Sequence, residues 1–387
     1  MIPRCTPYTL VQKQNSMVGS SLTLLAGSSM AIDNLQQLWM FGGLNLEINK
    51  LVDCLYSFKN VFGKGQGKVE CHCYPGPLRM SHLTAEHKQQ LLESGHTIQS
   101  GEVPEARADH HLVYIEEWNS LLLLGGRALF KPNTNRPLEE YKNCSQNVYT
   151  LNMATKEWSV MTTDEETKFH LQRSQFGCVL KFPLVFITGG IRRGFDGQFE
   201  ALNVDQLVIL NLLTKCARVK KLVGLVTQHR LFAVHLSQHP KIMGTELLLF
   251  GGSSLEGHHL TSDNLKKSTH FFWISPDEDK ILQVALQDYQ ADKAAIARTS
   301  VHWYNSSNAI IYGGTEPKKG HGGRSIFLLT TSPAMSQPIC DAEKGIVDGK
   351  DPKMVTCTNC SLSLHIVCDL NLRKRRTLSV QKVKCRY

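Results

Sequence analysis

Leu121–Arg127 reads LLLLGGR: four consecutive leucines, two glycines and an arginine. A run this short, closed by a turn signal, predicts a strand buried on both faces rather than a helix. The glycine pair predicts where the strand ends. Without a Cβ the backbone can take a positive φ and pass closely beneath a neighbour. The pattern recurs as LWMFGG to Gly43, LVFITGG to Gly190, LLLFGG to Gly252 and AIIYGG to Gly314. The pairs are Gly42 and Gly43, Gly125 and Gly126, Gly189 and Gly190, Gly251 and Gly252, and Gly313 and Gly314. The last four pairs fall about sixty residues apart, and a fixed period marks a repeat array.

The flanks repeat too. Upstream stand an arginine and then an aromatic residue or histidine: PEARADHH (Arg107, His110), RSQFG (Arg173, Phe176), HRLFAVH (Arg230, His235) and ARTSVHW (Arg298, His302). Downstream comes a second apolar strand, best formed in VYTLNMATKEW with Tyr149 and Trp158. This unit resembles the kelch repeat, in which each copy is one four-stranded blade of a β-propeller. The resemblance implies an all-β chain, with six blades expected and one of them degenerate. The divisions it suggests are a flexible segment over 1–19, a propeller over 20–335 and a Cys/His tail over 336–387. SSLTLLAG, Ser20–Gly27, is the expected strand that completes the last blade, since closing a ring removes exposed sheet edges. Between Gly43 and Gly125 the gap is about twenty residues longer than the others, leaving room for a degenerate blade. CHCYPG, Cys71–Gly76, lies there, but C-H-C lacks the two-residue separation that wraps one metal ion.

Composition bounds the function. The chain has 387 residues and a formal net charge of +9, which favours acidic partners such as nucleic acid. Its start, MIPRCTPYTLVQKQN, is not patterned as a signal peptide, and no apolar run reaches membrane-spanning length, so no membrane partner is expected. Twelve cysteines then imply a reducing compartment, with Cys54, Cys144, Cys178 and Cys216 reading as small buried hydrophobes.

A more specific resemblance begins at GEVPEAR, Gly101–Arg107, followed by LLGGR with Arg127 after its glycine pair. This string is similar to the V(D)J recombination-activating protein 2 family, which carries the same heptapeptide with aspartate in place of Glu102. The resemblance implies a nuclear, non-catalytic accessory subunit of a DNA recombinase or transposase. It would form a hetero-oligomer with a catalytic subunit similar to recombination-activating protein 1 and would touch DNA phosphates. Arg127, Arg192, Arg193, Lys318 and Lys319 all follow glycine pairs, and equivalent loops would aim them at DNA or partner from one face. The alternative is a kelch adaptor that presents a protein substrate, as in ubiquitin ligases or cytoskeletal scaffolds.

The tail carries Cys357-x2-Cys360-x4-His365-x2-Cys368, preceded by Cys340 and followed by Cys385. It resembles an incomplete plant homeodomain finger. In the interleaved arrangement Cys340, His365 and Cys368 would hold one zinc and Cys357, Cys360 and Cys385 another, each one ligand short of the usual four. Residues 340–384 contain no Trp, Tyr or Phe, so no aromatic cage for methyl-lysine is expected. No catalytic constellation stands out. Asp164, Glu165 and Glu166 have no second carboxylate motif to hold a metal pair, and His258 with His259 does not make a copper-radical site.

Overall fold

The computed structural model describes residues 4–8, 17–19, 25–45, 47–59, 69–77, 84–86, 89, 99–128, 146–193, 199–224, 230–238, 245–255, 265–267, 271–284, 297–305, 308–315, 326–330, 355–356 and 363–364. They are mostly strand. Four antiparallel strands, linked in sequence order, make the core of each of the first four sheets. The first sheet runs Ser29–Ile32, Leu38–Phe41, Leu55–Lys59 and Val69–Tyr74. The second runs His111–Ile115, Ser120–Leu124, Val148–Asn152 and Glu157–Met161. The third runs Gly177–Lys181, Leu184–Thr188, Gln206–Asn211 and Cys216–Lys221. The fourth runs His235–Gln238, Leu247–Phe250, Phe271–Ser275 and Lys280–Val284. Ala297–Asn305, Asn308–Thr315 and Ile326–Thr330 make the fifth, joined by Arg4–Tyr8.

The first strands of consecutive sheets are neighbours throughout: first against second, second against third, third against fourth and fourth against fifth. Each gap among the first four sheets has its own core, and the period of two along a strand shares side chains between adjacent cores. Leu121 and Leu123 pack towards Trp39, Phe41 and Leu55 of the first sheet. Leu122 and Leu124 pack towards Phe176, Val185 and Ile187 of the third. In the third sheet, Val185 and Ile187 face the second sheet, whereas Phe186 faces Leu236, Leu247 and Phe272 of the fourth. Sheets covered on both faces need unbroken apolar strands, which accounts for runs such as LLLL.

The N-terminus departs from expectation. Residues 1–19, expected as a flexible segment, supply two strands. Arg4–Tyr8 pairs with Ile326–Thr330 in the fifth sheet, and Met17–Gly19 runs parallel to Val69–Tyr74 in the first. The strand completing the fifth sheet is thus Arg4–Tyr8 and not Ser20–Gly27. Within the latter, Leu25–Ala26 pairs with Leu44–Asn45, and a backbone committed there cannot also complete another sheet. Among the described residues the long interval after Gly43 holds no additional four-stranded sheet; Leu44–Asn45 and Lys50–Leu51 only form a small three-stranded sheet with Leu25–Ala26. The interval completes the first sheet with Leu55–Lys59 and Val69–Tyr74 and adds Ser100–Gly101 to the second.

Candidate functional site

Before each of the first four sheets, one residue takes a left-handed backbone: Gly27 at φ +68°, Asp109 at +58°, Gln175 at +55° and Ala233 at +55°. These residues form an amide chain from sheet to sheet. Asp109 N donates to Gly27 O (2.7 Å), Gln175 N to Asp109 O (3.0 Å) and Ala233 N to Gln175 O (2.6 Å). The glycine pairs add a second set of bonds. Gly43 N donates to Arg107 O (2.8 Å), Gly126 N to Arg173 O (3.0 Å) and Gly190 N to Leu231 O (2.8 Å).

The pairs are glycine for a steric reason. The first glycine of each of the first four pairs has φ between +61° and +68°, and the second between +91° and +107°. A Cβ on Gly125 would lie 2.5 Å from Arg173 O in the next sheet's lead, and one on Gly126 would lie 2.7 Å from His110 Cβ in its own. Gly189 and Gly190 repeat this against Leu231 O at 2.7 Å and Phe176 Cβ at 2.8 Å. One glycine makes room for the neighbouring sheet and the other for the sheet it belongs to. The fifth pair differs: Gly313 and Gly314 stay inside the strand Asn308–Thr315, where Gly313 pairs with Thr299.

Two of the repeated arginines stitch these seams. Arg107 is fully buried; its Nη1 donates to Gly125 O (3.0 Å), its Nε to Glu105 O (3.1 Å), and its guanidinium lies 4.9 Å from the Tyr149 ring centroid. Burial is the main cause lowering its pKa, against the opposing influence of Tyr149 and Glu105. Arg173 repeats the fork, Nη1 to Gly189 O (3.1 Å) and Nε to His170 O (2.7 Å). In the fourth copy the register of HRLFAVH is one residue off the expectation. Leu231 occupies the seam, and Arg230 is exposed. Arg107→Lys keeps the charge but cannot reach both carbonyls. Chemical denaturation should show a loss of about 1–3 kcal/mol, the cost of one abandoned buried acceptor.

The heptapeptide Gly101–Arg107 spans the approach to this seam. Gly101 has φ +75°, and a Cβ there would lie 2.2 Å from Trp158 O. Glu102 N donates to Trp158 O (2.9 Å), and its Oε2 accepts from Val160 N (2.8 Å). Pro104 is buried. Trp158 is buried too, and its indole N–H donates to Gln99 Oε1 (2.7 Å). Gln99 Nε2 in turn donates to Asp53 O (2.9 Å) and Tyr74 O (2.8 Å), tying the second sheet to the first. Tyr149 and Trp158 share one core with Phe41. The string that carries the family resemblance is thus built into the scaffold.

The basic residues after the glycine pairs are less uniform than their spacing suggests. Arg127 Nε lies 2.6 Å from Oδ2 of buried Asp109, which also accepts from Gln175 Nε2 (3.1 Å). Arg192 pairs with Glu200, its direct cross-strand neighbour, and lies 4.4 Å from the Phe169 ring centroid. Arg127 is the first residue after its pair and Arg192 the second, so strand alternation sends them to opposite sides. Arg193 returns to the side of Arg127 and is half-buried. Lys318 and Lys319 lie outside the described residues, as do His258, His259 and the tail set Cys340, Cys357, Cys360, His365, Cys368 and Cys385. Asp164, Glu165 and Glu166 open a helix, Glu165–Leu171. Asp164 caps it by accepting from Thr167 N (2.6 Å), and Lys168 with His170 closes its last turn. That charge order was visible in the sequence and signals a helix more directly than a loop. Cys71 and Cys73 point into the core with Tyr56 and Phe58, while His72 is exposed on the opposite face.

Asp109 and His110 were not singled out as a pair by their spacing, although they hold the seam. His110 is buried, edge-on to Phe41 with centroids 5.6 Å apart. Burial, then the charges of Arg107 and His111, lower its pKa to about 3; Asp109 and the Phe41 backbone oppose this. No protein-family model matches the sequence, and a search of curated proteins likewise finds no match.

Proposed function

We propose that the chain is a kelch-type β-propeller serving as the non-catalytic accessory subunit of a DNA recombinase or transposase, acting in the nucleus. The observation carrying this reading is the seam between the first two sheets. Gly101, Glu102, Pro104 and Arg107 of the family-like string each have a defined packing or hydrogen-bonding task there, and Arg127 anchors the next strand to Asp109. Those tasks belong to an architecture, and the sequential sheets with adjoining first strands suit radial blades. Completion of the fifth sheet by Arg4–Tyr8 suits a ring fastened by its N-terminus.

In this reading one face docks a catalytic subunit similar to recombination-activating protein 1, and basic side chains add phosphate contacts to flanking DNA. Arg193, Lys318 and Lys319 are assigned that task as basic residues that follow the third and fifth glycine pairs; Arg127 and Arg192 also pair with carboxylates of the scaffold. Co-purification with such a catalytic subunit should yield a stable complex that binds DNA more tightly than the subunit alone. Replacing Arg193, Lys318 and Lys319 with glutamine should weaken DNA binding across sequences and flatten the log affinity–log salt slope by about 1 per lost contact. Failure to associate in repeated trials, or an unchanged salt slope, would remove the proposal.

A further inference from the structure

The outer edges of the first, second and fourth sheets are met by the chain's own backbone, in parallel each time. Met17–Gly19 runs along Val69–Tyr74 of the first sheet, and Ser100–Gly101 along Glu157–Met161 of the second. On the fourth, Val223 bridges Lys280; its N–H donates to Asp279 O (2.6 Å) and its O accepts from Ile281 N (3.1 Å). The third sheet has no such strand among the described residues. Its edge strand Cys216–Lys221 meets the helix Glu165–Leu171 at one end, where Ala217 N donates to Thr167 Oγ1 (2.7 Å).

Alternation along this strand fixes which backbone groups are left over. Ala217 and Val223 turn their N–H groups away from the sheet, while Leu222 N donates inward to Asp205 O (2.7 Å). Val219 and Lys221, in step with Ala217 and Val223, therefore point their N–H and C=O outward too. No described residue partners Ala217 O, either group of Val219 or Lys221 N–H. This stretch borders a half-open cavity of about 770 Å³, walled by Phe169 of the helix, Arg192, Leu202, and the cross-strand pair Val208 and Val219. Phe169 is 39% exposed and Val219 41%, so apolar surface meets solvent beside unused strand edge. The opposite face of the strand is basic. Lys220 is held there by Asp279 and Pro276 O, whereas Arg218, paired across the strand with Ile209, is exposed and has no ion-pair partner among the described residues.

We infer that the edge of the third sheet takes an extended acidic segment of a partner protein as an added parallel strand. Main-chain bonds to Ala217, Val219 and Lys221 supply the attachment, and alternate side chains supply the selection. Apolar ones enter the cavity against Phe169 and Val219, and carboxylates on the other face meet Arg218. Parallel addition follows the pattern of the other three edges. A second copy suits the edge poorly. Two such strands paired antiparallel about Val219 would set Arg218 of one copy against Lys220 of the other, like charge facing like charge. The inference holds whether or not the partner is a recombinase subunit.

The test titrates the full chain into a fluorescein-labelled peptide, Gly-Ser-Glu-Val-Glu-Val-Glu-Ser-Gly, and follows fluorescence anisotropy. Saturable binding is expected, and the same peptide with lysine for each glutamate should bind about tenfold more weakly. In a parallel pairing the glutamate amides face the edge, as Asp279 and Ile281 flank Val223, so N-methylating them should abolish binding. Arg218→Glu should weaken binding about tenfold and leave the melting temperature unchanged, because its side chain gives up no ion pair. Val219→Pro removes an outward N–H that the sheet itself does not use, and it should abolish binding as well. Absence of saturable binding, or equal binding of the lysine or the N-methylated peptide, would overturn the proposal. So would dimerisation abolished by Val219→Pro, or duplex-DNA affinity lost in Arg218→Glu, with no peptide binding by the wild type. The edge would then serve a second copy or a nucleic-acid surface.

Discussion

Gly126→Val is expected to destabilise the chain by about 3–5 kcal/mol, combining strain at a left-handed position with overpacking of a filled seam. Gly126 has φ +91°, which a β-branched residue resists on its own. Its new Cβ would stand 2.7 Å from His110 Cβ and 2.9 Å from Ala108 O. Neither obstacle is the loose end of a flexible side chain. His110 is wedged beside Phe41, and Ala108 is paired with Arg127. Relief would require the strand to draw away, lengthening the 3.0 Å bond from Gly126 N to Arg173 O and loosening the second sheet from the third. Thermal melting followed by circular dichroism should show a fall of roughly 10 °C. Wild-type-like melting would mean that this glycine does not sit where two sheets meet.

Acid should weaken the fold through His110, and His110→Phe should remove part of that weakness. Burial and the neighbouring Arg107 charge put the imidazole pKa at about 3 in the folded chain, against an ordinary value near 6.5 when unfolded. Between those values the unfolded state binds the extra proton, so stability falls as pH drops from about 6.5 towards 3. The loss attributable to His110 is on the order of a few kcal/mol by the acid end of that window. His111 pushes the same way, its pKa also lowered by burial, although its Nε2 contact with Phe176 O (2.6 Å) opposes the shift. Phenylalanine is the informative replacement because Phe176 holds the equivalent position before the third sheet, packed under Gly190 as His110 is under Gly126. Urea denaturation from pH 7 to 3.5 should give a shallower decline for His110→Phe than for the wild type. Parallel declines would show that His110 does not bury a neutral imidazole.

Much of the architecture was legible because it depends on local order. Strands covered on both faces must be continuously apolar, and the backbone beneath a neighbouring sheet must lack a Cβ. LLLLGG and its relatives state both requirements in contiguous residues, so strand positions and the repeat could be read directly. The tertiary structure decided what depends on residues distant in sequence. It placed Leu231 rather than Arg230 at the fourth seam, because the hydrogen bond from Gly190 N sets that register. It completed the fifth sheet with Arg4–Tyr8, a partner more than three hundred residues away in sequence from Ile326–Thr330. It also turned Arg192 from a rim residue into the wall of a cavity. Strand alternation and the cross-strand Glu200 determine where that side chain points, and neither shows in its spacing from Gly190. Sequence determines which backbone can form where its causes are local; the destination of a charge depends on what other parts of the chain bring beside it.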